Sequence, residues 1–197
     1  MKYYVAILVI AAVLLAGCLE SNVSGEGNGS GQGNGSGTAA NNTANFTYLN
    51  YTNAAFGIAI KYPSTWTKNE QFTGAVVAFT SPSESSSGAS GGIVSVVVEE
   101  LPEPMTLSEY NDAAIAALNQ TIVDFNLSET TAATLDNNPA HKIVYTTKQN
   151  QINLRAMQVW TLKDNKTYIL TYGTTPINYD KYQTIVQEMF SSFEIVG

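Results

Sequence analysis

From Phe46 onward the chain is built of short runs in which β-branched and aromatic residues recur, separated by small polar clusters. This pattern predicts strands at Phe46 to Tyr51, Gly57 to Tyr62, Ala75 to Thr80 and Ile93 to Glu99. Four more follow at Phe125 to Leu135, Lys142 to Lys148, Ile152 to Lys163 and Thr167 to Thr174. The last three are joined by short polar links, Lys148-Gln-Asn-Gln-Ile152 and the Asp164-Asn165 pair, so they read as an antiparallel meander. Several runs, IVSVVV from Ile93 and MQVWTL from Met157 among them, carry apolar residues on both alternating sets. A sheet of that kind is covered on both faces.

Two stretches switch to helical period. Thr106-Leu-Ser-Glu109 is a capping box, flanked by Met105 and Tyr110 as a hydrophobic staple. Behind it Leu107, Tyr110, Ala114, Ala117, Leu118 and Ile122 share one face. A second helix is expected to open at Asn178 as N-cap, with Tyr182, Ile185, Val186, Met189, Phe190 and Phe193 at spacings of three and four. Both stripes read as core-facing surface.

The run AAFGIAIKYPSTW, Ala54 to Trp66, resembles the first hairpin of PsbP-like domains, an aromatic-Gly followed by Tyr-Pro-x-x-Trp. The resemblance continues through the strand at Ala75 to Thr80, the strand and helix between Ile93 and Ile122, Asn138-Pro-Ala-His-Lys142, and the closing helix ending SSFEI at Ser191 to Ile195. It implies an α+β fold, an antiparallel β-sheet sandwiched between helices. It also implies kinship with extrinsic membrane-associated subunits, best known on the lumenal side of photosystem II. Related domains also occur as lipoproteins.

The N-terminal part follows other rules. Lys2, an apolar run from Val5 to Leu15, and Ala16-Gly17 before Cys18 make a secretory signal sequence of residues 1–17. Leu15-Ala-Gly-Cys18 matches a lipobox, in which the thiol of the chain's only cysteine becomes a lipid thioether and the mature N-terminus. The alternative is an uncleaved anchor, since Tyr3 to Leu19 is near the short limit of the roughly 17 to 25 residues that span a bilayer. Residues 18–45 are rich in Gly, Ser and Asn and too polar to bury a core, so they form a flexible tether. As a random coil its r.m.s. span is on the order of 30 Å. The domain proper is residues 46–197.

Composition narrows the partners. Sixteen acidic against nine basic residues argue against nucleic acid and against tight binding to anionic headgroups. With one cysteine there is no intramolecular disulfide, so an exported domain depends on its core. Asn-x-Ser/Thr occurs at nine of eighteen asparagines, where chance placement would give about three. Four of them, Asn22, Asn28, Asn34 and Asn41, lie well inside the tether; Asn45, Asn50, Asn119, Asn126 and Asn165 are the glycosylation candidates at and within the domain. A lipobox combined with many such sites resembles archaeal lipoproteins.

Catalytic signatures are weak. Gly88-Ala-Ser-Gly-Gly92 matches a nucleophile elbow in letters, but a strand rather than a helix follows it, which is the wrong backbone context for Ser90. His141 is the only histidine, so it has no second imidazole to share a metal or a proton relay, and it reads as a hydrogen-bonded structural residue. Glu99 and Glu100 point to opposite faces of one strand and cannot easily act on one bond; with Glu103 they read as a solvated cluster rather than a cation loop. No catalytic residue, metal ligand or cofactor is expected. The sequence is read as a lipid-anchored binding module on the outer face of the cell membrane, an auxiliary or assembly subunit with an unidentified protein partner. The alternative is a small-ligand or metal-binding lipoprotein.

Overall fold

The computed structural model describes residues 46–82 and 91–196. The expected signal sequence, Cys18, the expected tether, Asn45 and Ser90 lie outside those residues. The first hairpin pairs β1 (Tyr48–Asn53) with β2 (Ile58–Pro63). Then come β3 (Thr67–Asn69), β4 (Val77–Thr80), β5 (Ile93–Glu100) and the helix α1 (Leu107–Thr121). The meander β6 (Asn126–Leu135), β7 (Asn138–Gln149), β8 (Ile152–Lys163) and β9 (Lys166–Thr174) follows, then α2 (Pro176–Ser191) and β10 (Glu194–Ile195).

Seven strands form one antiparallel sheet in the order β3-β4-β5-β9-β8-β7-β6. The hairpin β1-β2 does not join it; with β10 it makes a separate three-stranded sheet. The large sheet is covered on both sides, as its doubly apolar strands require. On one face Tyr110, Ala114 and Leu118 of α1 meet Ile143, Tyr145, Ala156 and Trp160. On the other, α2 and the small sheet pack on Val94, Val96, Val159, Leu170 and Tyr172. The fold is thus α+β, with helices on both faces and the small sheet sharing one cover layer.

The meander is longer than the hydrophobic runs suggest. All three of its turns are two-residue links with positive φ at both positions: Asp136 and Asn137, Asn150 and Gln151, Asp164 and Asn165. That is the primed-turn geometry whose twist matches the strands it joins. Because the first turn is so tight, β7 begins at Asn138 rather than at Lys142. Pro139 is tolerated there because the pairing of β7 with β8 starts one residue later, at Ala140 and Thr161.

The capping box forms as expected: Glu109 donates its backbone N–H to the Thr106 hydroxyl, and the Glu109 carboxylate accepts from the Thr106 backbone. The start of α2 differs. Its N-cap is Thr175, and Pro176 occupies the first helical position, where its fixed φ fits and its missing N–H costs nothing. Asn178 therefore lies inside the first turn, and Tyr179 joins the buried stripe. The strands β3 and β10, of three and two residues, are too short for any periodicity to reveal.

The Phe56-Gly57 and Tyr-Pro-x-x-Trp segments now have physical reasons. Gly57 has φ +64, and a Cβ there would lie 2.9 Å from the Val196 carbonyl oxygen, while its own carbonyl accepts from Val196 N–H at 3.0 Å. The C-terminal strand docks on this glycine. Tyr62 stacks on Phe79 with centroids 4.6 Å apart, and Trp66 meets Tyr182 edge-on at 5.7 Å. Gly57→Ala is expected to destabilise the protein by about 1 to 2 kcal/mol, the usual cost of left-handed backbone for a residue with a Cβ. Urea unfolding of the variant beside the parent measures it.

Candidate interaction surface

One helix does not cover a seven-stranded sheet. α1 spans β7 and β8, pinned by Trp160 Nε1 donating to Asn111 Oδ1 at 2.7 Å, and β6 is left at the sheet edge beyond it. Between helix and edge strand runs an open groove of about 540 Å³. Asp112, Ile115, Ala116 and Asn119 form the helical wall; Phe125, Asn126 and Leu127 form the other. The volume is within the range of small-molecule sites, but the groove is shallow and open, with mixed polar and apolar walls.

His141 belongs to the same side. Its Nε2 lies 2.8 Å from Thr130 Oγ1 on the neighbouring strand, and its ring packs on Trp160 at 5.5 Å. Burial pulls its pKa below the usual value, against the opposing influence of Asp112. The imidazole is thus neutral near pH 7 and tied into the sheet, the structural role its position suggests.

Glu99 is the most perturbed carboxylate. It stands one residue before the end of β5 on the face that α1 covers, opposite Thr167 in register and close enough to Tyr110 to add its charge to the burial that chiefly raises the tyrosine's pKa. Desolvation lifts the Glu99 pKa to about 7, and one of its oxygens has no hydrogen-bond partner among the described residues. Glu100, its neighbour, is exposed, so the two carboxyls do face apart. Glu103 is also exposed, and among the described residues no group of three or more His, Cys, Asp or Glu is placed to hold a metal ion.

Of the glycosylation candidates, Asn50 is exposed on β1, Asn119 on the last turns of α1 and Asn126 at the first residue of β6. Asn165 is different. It sits in the β8–β9 turn at φ +59, with its side-chain amide donating to the Leu101 carbonyl at 2.8 Å, so its side chain already has a structural partner. Asn119 and Asn126 are brought to the same edge of the sheet, Asn119 over the groove and Asn126 turned to the opposite face, a placement that counting sequons could not reveal. The glycines around Ser90 also gain a packing reason: a Cβ on Gly91 would overlap the Tyr182 ring, 2.2 Å from its hydroxyl oxygen.

The chain matches the family described as PsbP-like protein over residues 5–195, and it belongs to that family. No curated protein matches its sequence. Among solved structures it resembles cyanobacterial PsbP (CyanoP) of Synechocystis sp. PCC 6803, with TM-score 0.58 and 16% identity, over 80% of this chain and 98% of that one. LpqN of Mycobacterium tuberculosis, described as involved in cell envelope biogenesis, gives TM-score 0.59 and 13% identity over 78% and 92%. The Saccharomyces cerevisiae Ran-binding protein Mog1p gives 0.53 and 8% over 77% and 96%. At these identities the likeness establishes the fold, and it agrees with the layers described above.

Glu99 supplies a pH test. Its folded pKa of about 7 lies above the ordinary value of 4.5, so the folded state binds the extra proton and stability falls as pH rises from about 4.5 through 7. Glu99→Gln is therefore expected to stabilise the protein above pH 7, by about 1 kcal/mol after discounting for partial exposure, and to change little at pH 4.5. Thermal unfolding of both proteins across that range checks the sign.

Proposed function

We propose that this chain is an exported, lipid-anchored PsbP-like binding module that supports a membrane or cell-envelope complex through protein contacts. The observation that carries the reading is the order of segments: an apolar leader closing on Leu15-Ala-Gly-Cys18, a polar tether to Asn45, then a domain packed on both faces of its sheet. A diacylated or otherwise lipid-modified Cys18 holds the domain on the outer face of the cell membrane, and the tether lets it sample a shell on the order of 30 Å deep. The relationship to LpqN, described as involved in cell envelope biogenesis, supports the same setting. The role is binding rather than catalysis, and it needs no cofactor.

Cys18→Ser is expected to move the protein from the membrane to the soluble fraction, read by fractionation and immunoblot; retention of the variant would instead indicate the uncleaved anchor. A mild-detergent pull-down from native membranes tests the role itself. Recovery of one membrane complex in near-equal amount supports an auxiliary subunit, whereas recovery of the chain alone across several detergents overturns it and favours the small-ligand reading.

A further inference from the structure

The large sheet ends in two very different edges. β3, at one side, has three residues; β6, at the other, has ten, and among the described residues only β7 pairs with it. A long unpaired edge is a template for another strand, and proteins blunt such edges with lysine, proline, inward charge or a covering element. β6 reads NLSETTAATL, with no lysine and no proline. Its one charge, Glu129, is already engaged with Lys142 at 2.6 Å. A bulge between Leu127 and Glu129 disturbs only its first residues, and Thr130, Ala132 and Thr134 remain exposed. The protein side chains thus leave this edge poorly defended.

What stands beside it are two acceptor sequences. Asn119, followed by Gln120 and Thr121, lies on the helical wall of the groove. Asn126, followed by Leu127 and Ser128, borders its far rim on β6, opposite Thr146. It stands between Phe125 and Leu127, which pack toward α1, so its side chain faces the other side of the sheet. Both asparagines and both hydroxyl residues are exposed. We propose that Asn119 and Asn126 carry N-linked glycans, the first over the groove between α1 and β6 and the second on the opposite face of β6, that together flank the β6 edge and shield it from pairing with a second copy. The donor is a lipid-linked oligosaccharyl phosphate: the Asn Nδ2 forms a bond to the anomeric carbon, the bond from that carbon to the phosphate oxygen breaks, the lipid phosphate leaves, and the amide gives up one proton. In an antiparallel β6–β6 pair centred on Thr130, the first residues of each copy, Asn126 among them, lie beside the last residues of the other, near Thr134. A glycan at each end of the pair would then obstruct it. The groove is consequently unavailable to a protein partner, which must dock elsewhere on the domain.

This inference rests on the exported reading, since the transfer takes place outside the cytoplasm, and the tether provides the control that separates the two. Glycopeptide mass spectrometry of the full chain from native membranes is expected to find sugar on Asn119 and Asn126 as well as on tether sites such as Asn28 and Asn34. Glycans on the tether with bare Asn119 or Asn126 would overturn this inference and leave export intact; a chain bare throughout and found in the cytosol would overturn both. The shielding is read separately, by light scattering over a concentration series. The Asn119→Gln/Asn126→Gln chain, and the parent chain made in a host without the transferase, are each expected to double in apparent mass, and adding Ala132→Lys is expected to return them to monomer. If either unglycosylated protein remains monomeric throughout, or Ala132→Lys leaves the dimer intact, the edge-shielding role is wrong.

Discussion

Strands β8 and β9 bury side chains on both alternating sets, Ala156, Trp160 and Ile169 toward α1, and Met157, Val159, Leu170 and Tyr172 toward α2. Neither face of such strands can border water, and so neither helix is optional. With apolar burial worth roughly 25 cal/mol per Å² and no intramolecular disulfide available from one cysteine, the two-sided core is what keeps the domain folded. The rest of the architecture follows from this demand. Over the central strands α1 alone covers one face, but the other needs α2 together with the detached β1-β2 sheet, which is held down by the return of β10 onto Gly57.

Polar groups taken into this sandwich are mostly matched: Gln158 donates to Thr171 at 3.1 Å, Trp160 to Asn111, and the Tyr172 hydroxyl to the Tyr179 carbonyl at 3.1 Å. Among the described residues Glu99, Thr167, Thr175 and Tyr179 each leave a buried oxygen unpartnered, and Glu99 is the one carboxyl of the four, its raised pKa recording the cost. Its place near the end of β5, where the sheet meets the approach to α1, turns it away from exposed Glu100, and it contributes a pH-dependent weakness to the fold.

Much of this was written in the residues. Doubly apolar runs such as IVSVVV announced cover on both faces, Thr106 and Glu109 announced the cap of α1, and the Phe56-Gly57 to Trp66 segment announced the family. Local signals fell short where a neighbour decided the outcome. Thr175-Pro176 rather than Asn178 opens α2 because proline's fixed φ sets the first turn, and β7 reaches back to Asn138 because a tight turn extends its pairing with β6. β3 and β10 carry no periodicity of their own and exist through their partners. The site was less legible than the fold. Asn119 and Asn126 look like any two sequons until the end of α1 turns the chain back along the sheet edge and sets them on either side of β6.

A domain closed on both faces leaves its surface for recognition, and the proposed lipid and tether fix which membrane that surface patrols. Hydrogen exchange on the full chain, alone and in detergent-solubilised native membranes, tests this division most directly. The expected result is added protection confined to amides of exposed segments, with the central strands β5, β8 and β9 unchanged. A change in protection within those central strands would contradict it, because it would place the ligand inside the sandwich rather than on it.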